Sequence, residues 1–352
     1  MTESPHDTVG VALIGFGFAG RIFHAPFITT TPGLALRVVA SSQGPSINAA
    51  YPGVRVAASP IEAIAAEDVS LVVIATPNDT HAPLAEAALR AARHVVVDKP
   101  FTITVEEAQT LGATAETTGR LLSVFHNRRW DSDFLGVRQT MQTGAIGDVV
   151  EYRSEIARWR PQVRDRWRER PGPGAGLWYD IGPHLIDQAV QLFGVPLGVQ
   201  ATLRTLRPGG ETDDWFHARL DYATRQVILA STMLAADAPP RFVVRGTSGS
   251  LLKHGGDPQE ARLIAGERPG RPGWGQDDDL LLVLRDGAEV ERLPVPSGDY
   301  GHFYAAMRDA IRGRRPSPVS VAEAMAVMAI IAAGIESNRT ERMTYLANTS
   351  SR

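Results

Sequence analysis

The sequence predicts an α/β domain built on a doubly wound parallel sheet, followed by an α+β domain with a mostly antiparallel open sheet. Three observations predict it. Short unbroken apolar runs alternate with helical patterns through the first 125 residues, as expected of parallel strands covered by helices on both faces. The first such run leads directly into the turn Gly15-Phe16-Gly17-Phe18-Ala19-Gly20. Beyond it, β-type segments succeed one another with short turns and little helix, which is the pattern of an antiparallel sheet. The boundaries read as 1–125 and 126–352, with the closing helices able to pack back on the first domain.

Val11–Ile14 is the opening strand, Ala35–Ser41 the second and Leu71–Thr76 the third. His81–Ala92 has Leu84, Ala85, Ala88 and Leu89 at helical spacing and leads into a strand at His94–Val97. Thr104-Val105-Glu106-Glu107 is a capping box that should start a helix, which Gly119 ends. Leu121–Phe125 is the next strand. In the second half, strands are expected at 150–159, 199–207, 216–222, 227–233 and 242–245. Gly255–Asp279, rich in glycine, proline and charge, reads as a long surface loop. Two helices close the chain, His302–Arg312 and Val321–Asn338.

Composition narrows the function classes. The 352 residues carry a net charge of -3, which speaks against whole-chain affinity for nucleic acid or an anionic membrane. There is no cysteine, so disulfides, thiolate metal sites and a cysteine nucleophile are excluded. The polar stretch Met1–Thr8 lacks an apolar signal core, and no run of about twenty apolar residues is read as a bilayer span. A cytoplasmic protein is expected. The scattered histidines His24, His81, His126 and His302 show no ligand spacing, and no metal is expected.

The glycine run is a dinucleotide motif in its confirming context, after a strand and before a helix, as in a Rossmann domain. Gly15 permits the tight turn, Gly17 lets a pyrophosphate approach the backbone, and Gly20 lets helix pack on strand. An NAD site of this type carries Asp or Glu roughly 20 residues on, bonded to the ribose 2′-hydroxyl. Here Ser41-Ser42-Gln43 stands instead. Without a repelling carboxylate the site favours NADP(H), with NAD(H) still admitted because no arginine follows. Asp98-Lys99-Pro100 lies at the carboxyl edge of a strand, where the ammonium could polarise a carbonyl. Asp180 and His184, four apart, share a face if both are helical. Pro183 then places Asp180 at the helix cap and His184 in the first turn. His184 suits proton transfer, and Asp180 could orient it. Seven arginines between Arg153 and Arg170, offset by Glu151, Glu155, Asp165 and Glu169, read as a salt-bridged arm bordering the active site or a neighbouring subunit.

Taken in order, these motifs resemble the glucose–fructose oxidoreductase / inositol dehydrogenase / rhizopine catabolism (Gfo/Idh/MocA) family. The likeness includes Ala75-Thr76-Pro77-Asn78-Asp79-Thr80-His81, and a narrower one lies in Phe23-His24-Ala25-Pro26, His126–Asp131 and Arg160-Pro161 to Trp167, which are similar to the NADPH-dependent scyllo-inositol dehydrogenases. The resemblance implies Lys99, Asp180 and His184 as catalytic residues. It implies Gly15, Gly17, Phe18, Ala19, Gly20, Ser41, Ser42, Thr76, Pro77, Asn78, His81 and Lys99 around the cofactor, and Asn127, Arg128 and Arg158 near the substrate. It also implies a homodimer or homotetramer joined through the outer face of the second sheet. Asp98 departs from the family's commoner glutamate. The activity implied is NAD(P)-dependent oxidoreduction of a cyclic polyol or sugar, inositol-like. An aldose or other keto compound, or a dinucleotide-sensing regulator without turnover, are the alternatives.

Overall fold

The protein is described by a computed structural model covering residues 8–346; the N-terminal stretch read above lies, up to Asp7, outside the described residues. From the N-terminus run β1 (Val9–Ile14), α1 (Ala25–Thr30), β2 (Leu34–Ala40), α2 (Gly44–Ala50), β3 (Arg55–Ala57) and α3 (Pro60–Ala65). There follow β4 (Leu71–Ile74), α4 (His81–Arg90), β5 (His94–Val97), α5 (Val105–Thr118) and β6 (Leu122–Val124). Next come α6 (Ser132–Gln142), β7 (Val149–Ala157), α7 (Leu177–Phe193), β8 (Gly198–Arg204), β9 (Trp215–Tyr222), β10 (Arg225–Thr232), β11 (Phe242–Gly246) and β12 (Ser250–Lys253). The chain ends through α8 (Gln259–Ile264), β13 (Leu281–Leu284), β14 (Glu291–Leu293), α9 (Gly301–Ile311), α10 (Val321–Thr340) and β15 (Thr344–Tyr345).

Two compact units result. The first runs to Asn127 and adds Gln259–Trp274 and Asp299–Met325; the second takes Arg128–Pro258, Gly275–Gly298 and the chain from Ala326.

In the first unit six parallel strands stand in the order β3-β2-β1-β4-β5-β6. β1 and β4 are buried along their whole length, which is why they read as unbroken apolar runs. The register pairs Ile14 with Ala40 and Ile74, Ile74 with Val97, and Val97 with Val124. Strand ends therefore line up, and the residues that follow them (Gly15, Ser41, Ala75, Asp98, Phe125) emerge along one carboxyl edge, with the order reversing between β1 and β4. The capping box of α5 is present with both reciprocal bonds, and Gly119 ends it in the left-handed conformation at φ 62.

The second unit holds nine strands in the order β14-β13-β12-β11-β7-β10-β9-β8-β15. All pairings are antiparallel except β7 with β10. α7 buries Leu177, Trp178, Ile181, Leu185, Ile186 and Ala189 within this unit. Trp178 is its anchor: the indole N–H donates to the Ile331 carbonyl at 3.0 Å and the ring meets Phe216 edge-on. Gly334 makes room for it, since a Cβ there would run into the indole.

Three expectations are corrected. The stretch 255–279 is not loop throughout: α8 forms inside it, and Gln259, Leu263 and Trp274 are buried. Its glycines and prolines are turn residues around a docked segment. α10 is long and apolar enough, by length and composition alone, to qualify as a membrane span. Its apolar residues Val327, Met328, Ile330 and Ile331 are buried, and Ser337 Oγ accepts the Ala201 N–H at 3.0 Å, as in a core helix.

The third correction concerns α7. It begins at Leu177, so Asp180 is inside its first turn, His184 lies in the second, and Pro183 sits within the helix. The cap is Asp213, distant in sequence. Its carboxylate accepts the Trp178 N–H at 2.6 Å and its carbonyl the Leu177 N–H at 2.8 Å. The proline ring removes one helical donor, and the burial of α7 on both sides of Pro183 offsets that loss.

Candidate active site

In the first unit the dinucleotide turn is shaped by what cannot fit. Gly15 has φ 95, and a Cβ on it would meet the backbone of Ala75. A Cβ on Gly20 would run into the Gly15 carbonyl oxygen. Gly17 is different: nothing lies within 4 Å of a Cβ built there, so its backbone borders open space. Helix starts at Phe18 and passes through a π turn at Gly20–His24 before α1. Open space over a glycine at the start of a helix fits a pyrophosphate, whose charge the first N–H groups attract. The fold and the turn thus suit a dinucleotide held by Gly15, Gly17, Phe18, Ala19 and Gly20.

Ser41 and Ser42 follow β2 on the same edge. Gln43 ties that corner to the turn, its Nε2 donating to the Phe16 carbonyl at 3.0 Å and its N–H to Ser41 Oγ at 3.3 Å. After β4, Thr76 Oγ1 and Thr80 Oγ1 are 2.6 Å apart and Thr80 donates to the Pro77 carbonyl. His81 is buried, with Nδ1 2.8 Å from the Pro100 carbonyl and Nε2 3.0 Å from that of Thr76. It brackets the Thr76 loop to the turn that carries Lys99. Asn78 and Asn127 are also buried. Lys99 is half-buried and joined to Pro100 by a cis peptide; its N–H donates to Asp98 Oδ1 at 2.8 Å.

In the second unit α7 presents Asp180 and His184 one turn apart, on the same face. His184 is 5% exposed. Arg168 Nε lies 3.5 Å from Asp180 Oδ1, stacked on the Trp167 ring. The loop carrying Arg168 is pinned by Glu169, which pairs with Arg166 at 2.6 Å and with buried Arg207 at 3.1 Å. The arginine-rich stretch is therefore salt-bridged in large part, with Arg168 turned to Asp180. Asp213, at the cap of α7, has its carboxyl raised to about 6: burial pushes it up, with Asp214 adding, against the backbone N–H bonds that pull it down.

Arg128 and Arg158 line one cleft of about 330 Å³ with Glu155, Trp159, Asp237 and Arg241. Arg128 is held by Asp131 at 3.0 Å. Glu155 has its carboxyl pushed up by burial and by Asp237. Sequence reading missed the framework beneath them. Arg129 makes a two-pronged buried pair with Asp187, at 2.6 and 2.9 Å. Arg241 meets Asp133 at 3.2 Å and Gln188 at 2.7 Å. Asp187 and Gln188 sit one turn beyond His184, a helical spacing that could have flagged them, but their partners are remote in sequence.

Comparison with known proteins agrees with this architecture. Residues 9–126 match the oxidoreductase family with NAD-binding Rossmann fold, and residues 138–346 its C-terminal alpha/beta domain, both of the Gfo/Idh/MocA group. The chain is 49% identical to the uncharacterized oxidoreductase YdgJ of Escherichia coli, covering 97% of this chain and 99% of that one. It is 34% identical to the scyllo-inositol 2-dehydrogenase (NADP(+)) IolW of Bacillus subtilis, over 97% and 96%. A crystal structure from Klebsiella pneumoniae superposes with a TM-score of 0.92 at 47% identity, covering 98% and 96%. Matched by both family domains and along nearly its whole length by these relatives, the chain belongs to the Gfo/Idh/MocA family of oxidoreductases.

Proposed function

We propose that the chain interconverts a hydroxyl and a carbonyl on a cyclic polyol or sugar, inositol- or inosose-like, with NADP(H) as the preferred cofactor and NAD(H) accepted. The observation that carries the reading is α7, which sets Asp180 and His184 on one face with Arg168 against the acid. The whole-length likeness to a relative named for scyllo-inositol and NADP(+) supports the substrate class.

The nicotinamide, when bound, supplies the hydride donor or acceptor. The protein's own groups handle the proton and the charge. His184 takes the proton from the substrate hydroxyl, or returns it to the carbonyl oxygen in reverse. Asp180 orients the imidazole, and Lys99 stabilises the developing alkoxide. Arg128 and Arg158 hold hydroxyls. Ser41 and Ser42 admit a 2′-phosphate because no carboxylate stands at positions 41–43 to repel it. The same reading takes the protein as a cytoplasmic homodimer or homotetramer.

The test is NADPH and NADH binding by fluorescence titration, then turnover on a panel of inositols, inososes and aldoses. Tighter NADPH binding with turnover of an inosose is the expected result. Binding with turnover of aldoses alone would overturn the substrate class, and binding of neither nucleotide would sink the reading.

A further inference from the structure

Next to Lys99, three side chains from three stretches of the first unit converge in a buried cluster. Asp98 ends the β5 edge, His24 closes the π turn, and Tyr304 comes from α9. His24 and Tyr304 are fully buried and Asp98 is 7% exposed. His24 Nδ1 lies 2.6 Å from Tyr304 Oη, across 280 residues of sequence. Its Nε2 lies 3.7 Å from Asp98 Oδ1. Phe125 covers the imidazole with ring centroids 4.5 Å apart, and Phe303 backs Phe125.

The proton positions follow from the partners. Burial keeps the Tyr304 phenol protonated, with its pKa raised well above the usual value. When the phenol donates to Nδ1, the ring proton is on Nε2, facing Asp98. When the ring is cationic, both nitrogens carry protons and the phenol oxygen accepts. The remaining tautomer would set a lone pair against a carboxylate. In every favourable state the nitrogen facing Asp98 carries a proton.

We propose that His24 and Tyr304 are positioning residues: Tyr304 fixes the imidazole, the imidazole steadies the Asp98 carboxylate, and the carboxylate holds the Lys99 amide, so that the ammonium is presented in one geometry. The inference rests on the role of Lys99 proposed above. Burial alone would raise the Asp98 carboxyl, but its contact with His24 and the pull of His24, Lys99 and His81 bring it down to about 2. It is thus an anion with a fixed place. The shorter acid matters here. Aspartate reaches back to the amide of its own neighbour, while a glutamate would carry the carboxylate about 1.5 Å further along.

The first readout needs no turnover. In imidazole nitrogen spectra of labelled protein, the His24 signals are those lost in His24→Gln. Asp98→Asn is expected to move the Nε2 resonance and Tyr304→Phe the Nδ1 resonance. The second readout uses any compound the wild type consumes. His24→Phe is expected to lower kcat roughly ten- to hundredfold with KM and the NADPH Kd within about twofold, and His24→Gln to recover most of it. Should His24→Phe fail to fold, Tyr304→Phe is expected to lower kcat in the same sense. Resonances unmoved by Asp98→Asn, or wild-type kcat in both His24→Phe and Tyr304→Phe, would overturn the proposal. A wild type idle on the whole panel, but with the expected resonance changes, would support the network while removing the polyol reading.

Discussion

The two units position their candidate residues by opposite means. In the first, the chemistry is contiguous in sequence: the turn from Gly15 to Gly20 and the run Asp98-Lys99-Pro100 each follow a strand end directly, and register alone lines them up. In the second, α7 depends on remote groups. Asp213 caps it, the Ile331 carbonyl takes its indole N–H, and Arg168 reaches Asp180 from a loop pinned by Glu169 and Arg207. A motif is legible where local sequence suffices to build it, and illegible in proportion to how far away its supports lie.

The strongest test of that contrast is to remove one function at a time. His184→Ala is expected to lower kcat by a hundred- to ten-thousandfold, about 3–5 kcal/mol of barrier, because it removes proton transfer. Nucleotide affinity, read by fluorescence titration, should stay within about threefold, since the first unit is untouched. Full activity in the variant on a substrate the wild type turns over would remove His184 from the mechanism.

Gly20→Ala attacks the other unit. The new Cβ would meet the Gly15 carbonyl oxygen, which is backbone and cannot swing aside. An overpacked contact of this kind costs about 1–3 kcal/mol. The turn must shift, so NADPH binding is expected to weaken about tenfold or more along with a lower melting temperature. Gly17→Ala offers the sharper comparison. Nothing crowds a Cβ there, so stability should hold while nucleotide affinity falls. Equal effects on stability from both substitutions would mean the glycines serve packing alone.

This contrast explains what the sequence displayed. The doubly wound sheet was legible because strands buried on both faces are continuous apolar runs, and α5 because its capping box and terminal glycine are local. The start of α7 was misplaced by one turn. Pro183 is a local signal for a first turn, but the helix gains Leu177 and Trp178 in the core and a cap from Asp213. Tertiary burial outweighed the proline. Arg129–Asp187 and Arg241–Asp133 were hidden for the same reason, as were β13 and β14, four and three residues long, the first laddered on β12 and the second on β13. The sequence shows that His24 exists; only the fold brings Tyr304 to it.

The smallest expected effect isolates the remote cap itself. Folding raises the Asp213 carboxyl from 3.8 to about 6, burial being the main cause and Asp214 a further one. Between those values the folded chain holds a proton that the unfolded chain has lost. Stability from this group is therefore complete below about pH 4, falls as pH climbs toward 6, and stays lower above it. The full shift corresponds to about 3 kcal/mol, an upper figure that the charge-assisted bond to the Trp178 N–H already opposes. Asp213→Asn keeps an oxygen to accept that N–H and carries no charge at any pH. Its stability minus that of the wild type, from denaturant melts across pH 4–8, should rise by about 1–2 kcal/mol between pH 4 and 6 and then level off. Taking the difference cancels the carboxylates whose pKa values are lowered, such as Glu169 and Asp279, which titrate alike in both proteins. A flat difference would mean that Asp213 titrates as if exposed. The N–H bonds that Asp213 accepts at the start of the helix carrying Asp180 and His184 would then offset the cost of burying its charge in full.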